Sequence, residues 1–237
     1  MTEGRRVVSF SPMRKAIARR MVQSKQEAPH FYVSRDIEMD TALAALAAAN
    51  EGREKGERAS VTALLVRALA STLGAFPAYN AVWNEDALEE VEAANIGVAI
   101  DLGDGGLIAP ALLDCGSKSV ATISTELRDL VTRTKAGKLR APEISEGTFT
   151  LSNLGMLGVT SFAAIVTPPQ VSTLATGATE PRAVVRDGEI VVRQMMSATL
   201  SSDHRALDGA GAARLLADLQ ERLDDAAAWV TDGSSEA

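Results

Sequence analysis

One short segment of the chain combines a histidine with two aspartates at a spacing that suits acid–base chemistry. His204 lies between Asp203 and Arg205, and Asp208 and Gly209 follow at the end of the segment. A neutral imidazole, whose ordinary pKa is about 6.5, is well matched to act as a general base at neutral pH. The chain has only two histidines, so one placed between these carboxylates is a distinct feature. His204 is therefore a candidate general base.

The same segment has a purely structural interpretation. Asp208 is a good N-cap for a helix that starts at Gly209, and a single loop histidine often only packs. Residues 194–200 have the pattern of a buried strand, so His204 is expected in a strand-to-helix loop, where rigid scaffolds present reactive side chains. The helix after the loop places six apolar residues on one face: Ala212, Ala213, Leu215, Leu216, Leu219 and Leu223.

Composition excludes several other classes of chemistry. His30 and His204 are far apart in the sequence and suggest no metal site. Cys115 is the only cysteine, so no internal disulfide is possible, which suits a reducing compartment. The net charge of -7 argues against nucleic acid as the main partner. One basic cluster on a predicted helix could bind a phosphate or an acidic partner, but a solvated helix face is the simpler interpretation; it comprises Arg14, Lys15, Arg19 and Arg20.

The remaining pattern predicts one α+β domain. We expect helices from residue 12 and over 40–50, 61–76, 119–135 and 209–223, and strands over 31–37, 95–102, 107–113, 147–153, 171–176, 182–185, 189–193 and 194–200. Ser11, Asp40 and Ser60 are the expected caps of the first three helices. Asp187 and Gly188 predict a hairpin turn, and the glycine cluster over 103–106 predicts another. Because strands and helices are interspersed without strict alternation, we expect a mixed sheet packed by helices on one side.

The length of 237 residues with 46% hydrophobic content is enough to bury a substantial core. No run of about 18 apolar residues is present to span a bilayer, and residues 1–6 lack the apolar segment of a signal peptide. We therefore expect a protein that is neither secreted nor embedded in a membrane.

Several separated blocks of sequence carry a family resemblance. They are SPMRKAIARRM at 11–21 with APHFYV at 28–33, GTFTLSNLGM at 147–156 with TPPQ at 167–170, and LSSDHRALDG at 200–209. In this order they resemble the catalytic domain of the dihydrolipoamide acyltransferases, the core enzymes of the 2-oxoacid dehydrogenase complexes. The resemblance extends from about Val7 to about Trp229. The H-x-x-x-D-G loop alone is weak evidence for the family, since chloramphenicol acetyltransferases and peptide-synthetase condensation domains carry similar loops. The blocks together are specific for it.

The resemblance implies a fold like that of chloramphenicol acetyltransferase and an active site shared between the subunits of a homotrimer. It assigns the base to His204 and the oxyanion donor to Ser152 of the neighbouring subunit, while Asp208 holds the local geometry through charge interactions. Taken alone, Ser152 is more simply a strand hydroxyl bonded to backbone. No catalytic role follows for His30, which we expect to pack.

The implied activity is transfer of an acyl group, acetyl in the first instance, between dihydrolipoamide and coenzyme A. Branched-chain acyl transfer, a biosynthetic acyltransferase and a non-catalytic core scaffold remain alternatives. We expect residues 1–237 to form a single catalytic domain with flexible ends at 1–6 and 231–237, without a metal, a lipoyl domain or a subunit-binding domain.

The implied partners are a lipoyl-bearing protein and the other 2-oxoacid dehydrogenase components, in the cytoplasm or, in a eukaryote, the mitochondrial matrix. In cage-forming relatives the chain end joins one trimer to another. Residues 226–230, which include Trp229, either make such a contact or pack back on their own helix.

Overall fold

The structure is a computed structural model that describes residues 6–103 and 106–230. Within these ranges the helices are α1 (Pro12–Glu27), α2 (Asp40–Ala49), α3 (Val61–Ala75), α4 (Val120–Lys135), α5 (Ala141–Ser145), α6 (Gly209–Asp224) and α7 (Ala226–Val230). The strands are β1 (His30–Glu38), β2 (Ala81–Asn84), β3 (Ala87–Glu90), β4 (Ile96–Val98), β5 (Ile100–Asp101), β6 (Leu107–Ile108), β7 (Ala111–Leu112), β8 (Phe149–Asn153), β9 (Ser172–Arg186) and β10 (Glu189–Asp203). The predicted flexible ends lie outside the described residues, apart from Arg6.

A mixed six-stranded sheet organises the domain, in the order β1-β10-β9-β8-β4-β7. Strand β8 runs parallel to both β4 and β9, and the other pairs in this sheet are antiparallel. Two small two-stranded sheets, β2-β3 and β5-β6, lie beside it. The predicted mixed α+β architecture is confirmed.

The two faces of the central sheet differ because successive strand residues point to opposite sides. Phe149 and Leu151 of β8 are completely buried in one hydrophobic cluster with Leu174 and with the inner residues of α2, α3, α4 and α6. Thr150 and Ser152 alternate with them and face the other side. These four helices therefore pack on one face, as predicted, whereas α1 and α5 border the second face of β8, which is lined by hydroxyl groups.

Local capping chemistry sets most helix starts. The Ser11, Ser60 and Asp208 side chains accept hydrogen bonds from the backbone of α1, α3 and α6, as expected. The prediction for Asp40 was wrong. Met39 occupies the cap position of α2, and the Asp40 carboxylate instead accepts a hydrogen bond from the N–H of Gln194 (2.9 Å), which joins α2 to β10. One burial prediction also failed, since Ala213 is exposed on α6.

The short strands predicted between residues 171 and 200 merge into two long ones. Strands β9 and β10 each contain 15 residues and pair along almost their whole length, with a register shift between Met196 and Ala198. The predicted hairpin turn between them is present, with positive φ at both Asp187 and Gly188, as a type I′ turn requires. Gly177 and Pro181 both lie within β9, so neither residue ends the strand.

The predicted strand–turn–strand unit over 95–113 is present but divided into four short strands. Strands β4 and β7 join the central sheet, while β5 and β6 form their own hairpin. The turn between β5 and β6 includes Gly103, which has a φ of 87°. Residues 104 and 105 of the predicted glycine turn lie outside the described residues. Over the described ranges, no helix is long and apolar enough to cross a membrane.

Candidate active site

His204 lies in the loop that connects β10 to α6, as the sequence predicted. Its backbone N–H donates to the carbonyl of Pro29 (2.8 Å), and its ring stands 4.7 Å from the ring of Phe31, centroid to centroid. The imidazole is exposed and makes no hydrogen bond with any described residue. The backbone of His204 is therefore fixed, while its ring nitrogens are available to an incoming molecule.

The two residues that flank His204, Asp203 and Arg205, form an ion pair that holds the loop in shape. The Asp203 side chain is buried and its carboxylate binds the guanidinium of Arg205 (2.6 Å) and the backbone N–H of the same residue (3.0 Å). Hydrogen bonding to Asp203 raises the pKa of Arg205, which therefore stays charged. The guanidinium stacks 4.4 Å from the ring of Trp83. The contact between Arg205 and Trp83 was not predicted from the sequence, because Trp83 lies far away in the chain.

Asp208 serves as the N-cap of α6. Its Oδ1 accepts a hydrogen bond from the N–H of Gly211 (2.7 Å), and its backbone carbonyl accepts one from the Tyr79 hydroxyl (3.1 Å). Burial, followed by the Asp208 charge, raises the pKa of Tyr79 to about 12, so the hydroxyl remains a donor at neutral pH. Asp208 forms no ion pair with any residue the structure describes. Its observed contacts are thus those of a helix cap.

Ser152 opens into a cavity of about 540 Å³ on the hydroxyl-lined face of β8. Its Oγ makes no hydrogen bond within the described chain, so the simpler interpretation of a strand hydroxyl satisfied by backbone does not hold. The cavity walls are mostly apolar and include Ile17, Met21, Leu107, Ile108, Pro110 and Ile165. Ser152 is therefore a free donor at the edge of an apolar space, which is a common arrangement for a ligand site.

Helix α1 forms one wall of this cavity and is tied to the segment opposite. Ser24 Oγ donates to the carbonyl of Val166 (2.6 Å), and Arg20 donates through Nε to the carbonyl of Pro168 (3.2 Å). Lys15 and Arg19, from the same basic cluster, are exposed. Arg20 thus has a structural contact, whereas Lys15 and Arg19 fit the predicted solvated face.

One buried charge borders the cavity and is fully paired. The Glu143 carboxylate accepts two hydrogen bonds from the Arg133 guanidinium (2.6 and 2.7 Å) and one from the backbone N–H of Arg140 (2.7 Å). The Arg133 contact holds the pKa of Glu143 below its usual range. Glu143 is therefore a structural anion.

The sheet register keeps His204 and Ser152 apart in one chain. Asp203, the neighbour of His204, donates its N–H to the carbonyl of Val171 just before β9, whereas Ser152 pairs with Ala175 within β9. Two strand spacings across and about five residues along the sheet place the two side chains roughly 20 Å apart. His204 is also absent from the lining of the cavity. The structure therefore positions each residue separately and does not bring them together within a single chain.

The other potential reactive groups are structural. His30 contacts the carbonyl of Ala28 through Nδ1 (2.7 Å) and accepts the N–H of Val166 at Nε2 (3.0 Å), which agrees with its predicted packing role. Burial raises the pKa of Cys115 to about 12, so its thiol is not a nucleophile at neutral pH. In the described part of the chain, no three His, Cys, Asp or Glu side chains are grouped to hold a metal ion.

Residues 2–231 match the family profile described as 2-oxoacid dehydrogenases acyltransferase (catalytic domain). The chain belongs to this family. It is 41% identical over 224 residues to the dihydrolipoyllysine-residue acetyltransferase component of the pyruvate dehydrogenase complex of Rhizobium meliloti (strain 1021). That match covers 92% of this chain and 50% of the relative, so the chain spans about half the length of this curated relative.

Two solved structures of acyltransferase cores are similar over nearly the whole fold. The Azotobacter vinelandii dihydrolipoamide acetyltransferase has a TM-score of 0.88 at 30% identity, covering 94% of this chain and 93% of that one. That crystal structure comes from an investigation of the role of one serine, one histidine and one asparagine in the catalytic mechanism of that enzyme. The cubic core of a pyruvate dehydrogenase multienzyme complex has a TM-score of 0.85 at 28% identity, with coverage of 94% and 93%.

The predicted similarity to chloramphenicol acetyltransferase is confirmed for the fold. A structure of that enzyme has a TM-score of 0.55 at 14% identity and covers 93% of this chain and 98% of its own. At this identity the likeness concerns architecture only.

Proposed function

We propose that this acyltransferase-family chain transfers an acyl group, acetyl in the first instance, between dihydrolipoamide and coenzyme A. One observation carries the proposal: the exposed imidazole of His204, in the loop after β10, and the hydroxyl of Ser152, on β8, both lack hydrogen-bond partners in the described chain. Family membership and the acetyltransferase activity of the relatives support the same reaction.

The reaction needs a base and an oxyanion donor. His204 accepts the proton of the attacking thiol, whose ordinary pKa of about 8.5 leaves little thiolate at neutral pH. The thiolate sulfur forms a bond to the thioester carbonyl carbon, and the carbonyl oxygen becomes an oxyanion that accepts a hydrogen bond from Ser152. Collapse breaks the original carbon–sulfur bond, and the leaving thiolate takes the proton back from the imidazolium.

An assay of coenzyme A acylation tests the proposed function. S-Acetyl-dihydrolipoamide is supplied as donor, with the succinyl and isobutyryl donors compared at equal concentration. We expect the acetyl donor to give the highest kcat/KM, in line with the acetyltransferase relatives. A preference for isobutyryl would favour the branched-chain alternative, and absence of turnover with every donor would favour a scaffold.

Asp208 contributes by capping α6 and thereby holding the loop that carries His204. Ser152, His204 and Asp208 are spaced like the serine, histidine and asparagine of the Azotobacter vinelandii relative. Asparagine caps a helix about as well as aspartate does, whereas alanine does not.

We therefore expect Asp208→Asn to retain acyl transfer within about threefold, because the bond to Gly211 is kept. Asp208→Ala should lower the free energy of unfolding by about 1 kcal/mol and also lower kcat. Urea unfolding and steady-state kinetics of both variants measure these effects. A severe loss of kcat in the well-folded Asn variant would show that the charge itself is required.

A complete site needs a second copy of the chain, because one chain keeps His204 and Ser152 roughly 20 Å apart. Exposed apolar side chains provide surface for such contacts, both before and within α1 and on the β9–β10 hairpin: Val7, Val8, Phe10, Met13, Val22, Val185, Ile190 and Val192. The similar cubic core supports a homotrimer that also builds larger assemblies. The partners we propose are a lipoyl-bearing protein and the dehydrogenase components of the complex.

Sedimentation velocity tests this assembly. We expect the smallest active species to be a trimer, with a larger species if trimers join into a cage. An active monomer would contradict the shared site.

We do not assign Trp229 to a contact between trimers. Its Nε1 donates to the carbonyl of Arg222 (3.0 Å), and Arg67 lies 6.0 Å over its ring, so it packs on its own chain. Of the two interpretations open from the sequence, the structure supports this one. Residues 231–237 lie outside the described range.

A further inference from the structure

The cavity beside Ser152 contains a second polar group that the mechanism above does not use. Gln170 is only 9% exposed and lines the cavity. One end of its side-chain amide is bonded to the Thr150 hydroxyl (2.6 Å). The other end makes no hydrogen bond with any described group. The contact with Thr150 therefore fixes the amide and leaves one polar end free at the cavity.

Thr173 supplies a second free group in the same place. It pairs with Thr150 across β8 and β9, so the two side chains stand on adjacent strands and on the same face, about 5 Å apart. Thr173 is 1% exposed and lines the cavity, yet its hydroxyl has no hydrogen-bond partner among the described residues. A buried hydroxyl without a partner is costly, which points to a group that binds it.

The surroundings restrict the chemistry of that group. The cavity walls are mostly apolar, and two lining residues are charged. Glu143 is paired with Arg133, and Arg20 is exposed and donates to the carbonyl of Pro168. Gln170 and Thr173 are themselves buried and neutral, so an ionised ligand group held between them would be desolvated without a counter-charge from either residue. A neutral amide carried on an apolar chain fits, because it offers one donor and one acceptor to an amide end and a hydroxyl.

We propose that Gln170 and Thr173 bind a secondary amide in the arm of a thiol substrate, with the methylene chain of that arm against the apolar wall. This inference rests on the proposed function. Two substrates contain such an amide: coenzyme A has one in its pantetheine arm, and a lipoyl-bearing protein has one in its lipoyl–lysine linkage. Ser152 lies two residues beyond Thr150 on β8, about 7 Å along the strand, so an arm held by its amide directs its sulfur end towards the oxyanion donor.

The test separates binding from chemistry by comparing KM with kcat for each substrate. Thr173→Val keeps the shape of the side chain and removes the hydroxyl, while Thr173→Ser restores a hydroxyl. The double variant Thr150→Val with Gln170→Leu removes the amide without leaving the Thr150 hydroxyl unpaired. We expect Thr173→Val and the double variant each to raise the KM of one substrate about fivefold or more, with a smaller change in kcat and with rescue in Thr173→Ser.

The source of the amide follows from which KM rises. A rise for dihydrolipoamide alone assigns the site to the lipoyl arm, and a rise for coenzyme A alone assigns it to the pantetheine arm. For the lipoyl arm, the methyl ester of dihydrolipoic acid, which lacks the amide N–H, should bind weakly to the wild type and lose little further affinity in the variants.

A matched control is available on the same sheet face. Thr199 is also buried, but its hydroxyl pairs with Ser34 (2.9 Å) and it does not line the cavity. Thr199→Val should leave both KM values unchanged. Unchanged KM values in the Thr173 and Gln170 variants, or a fall in kcat alone, would overturn the inference. The proposed function would still stand in that case, because the wild type would still turn over. Absence of wild-type turnover and of thiol binding by calorimetry would instead reject the proposed function itself.

Discussion

Replacing His204 with alanine is expected to lower kcat for acyl transfer by about 10³-fold, because the variant has no base to take the thiol proton. The side chain is exposed and makes no hydrogen bond with the described residues, so its removal should barely change the free energy of unfolding. Steady-state assay of coenzyme A acylation, together with thermal unfolding, measures both effects on one preparation.

The second histidine provides the matched control. His30 is bonded at both ring nitrogens to the backbone of Ala28 and Val166, so His30→Ala should lower stability while leaving the acid–base step in place. A folded His204→Ala variant with near-normal kcat would show that the base lies elsewhere.

Replacing Ser152 with alanine is expected to lower kcat by about 10²- to 10³-fold, the usual effect of losing one preorganised oxyanion donor. Its hydroxyl has no partner in the described chain, so no internal bond is broken and the fold should be unchanged. The KM for coenzyme A should change little, because the donor acts on the oxyanion and not on the bound thiol. Weakened binding at an unchanged kcat would make Ser152 a substrate contact instead.

Ser34 is a suitable control for this substitution. It lies on β1, in the row that runs from Ser152 through Ala175 and Thr199 across the sheet. Among the described side chains its hydroxyl bonds only that of Thr199, away from the cavity, so Ser34→Ala should retain full kcat.

The two inactive variants together test whether the site is shared. In trimers assembled at random from equal amounts of His204→Ala and Ser152→Ala chains, about a quarter of the interfaces combine an intact His204 with an intact Ser152. Co-expression should therefore restore about a quarter of the wild-type activity. No recovery in mixed trimers would place both residues in a site formed by a single chain.

The sequence by itself determined the features that depend on residues close together in the chain. The helix starts at Ser11 and Ser60 follow from a hydroxyl bonding a backbone N–H three residues ahead, and the turn at Asp187 and Gly188 follows from the positive φ values that these residues tolerate. The position of His204 between a strand and a capped helix is of the same kind. The local pattern made His204 a candidate base, and the family blocks added the proposed role of Ser152, which no local pattern assigns.

Only the tertiary structure decided what surrounds these residues. Tyr79 reaches the carbonyl of Asp208 across 129 positions of the chain, and Trp83 stacks on Arg205 across a similar distance. The free ends of Gln170 and Thr173 become visible only when β8 and β9 pair in parallel and α1 closes the cavity. Such contacts depend on strand order and register, which result from packing the whole core, and a local sequence pattern does not encode which distant side chains that packing brings together.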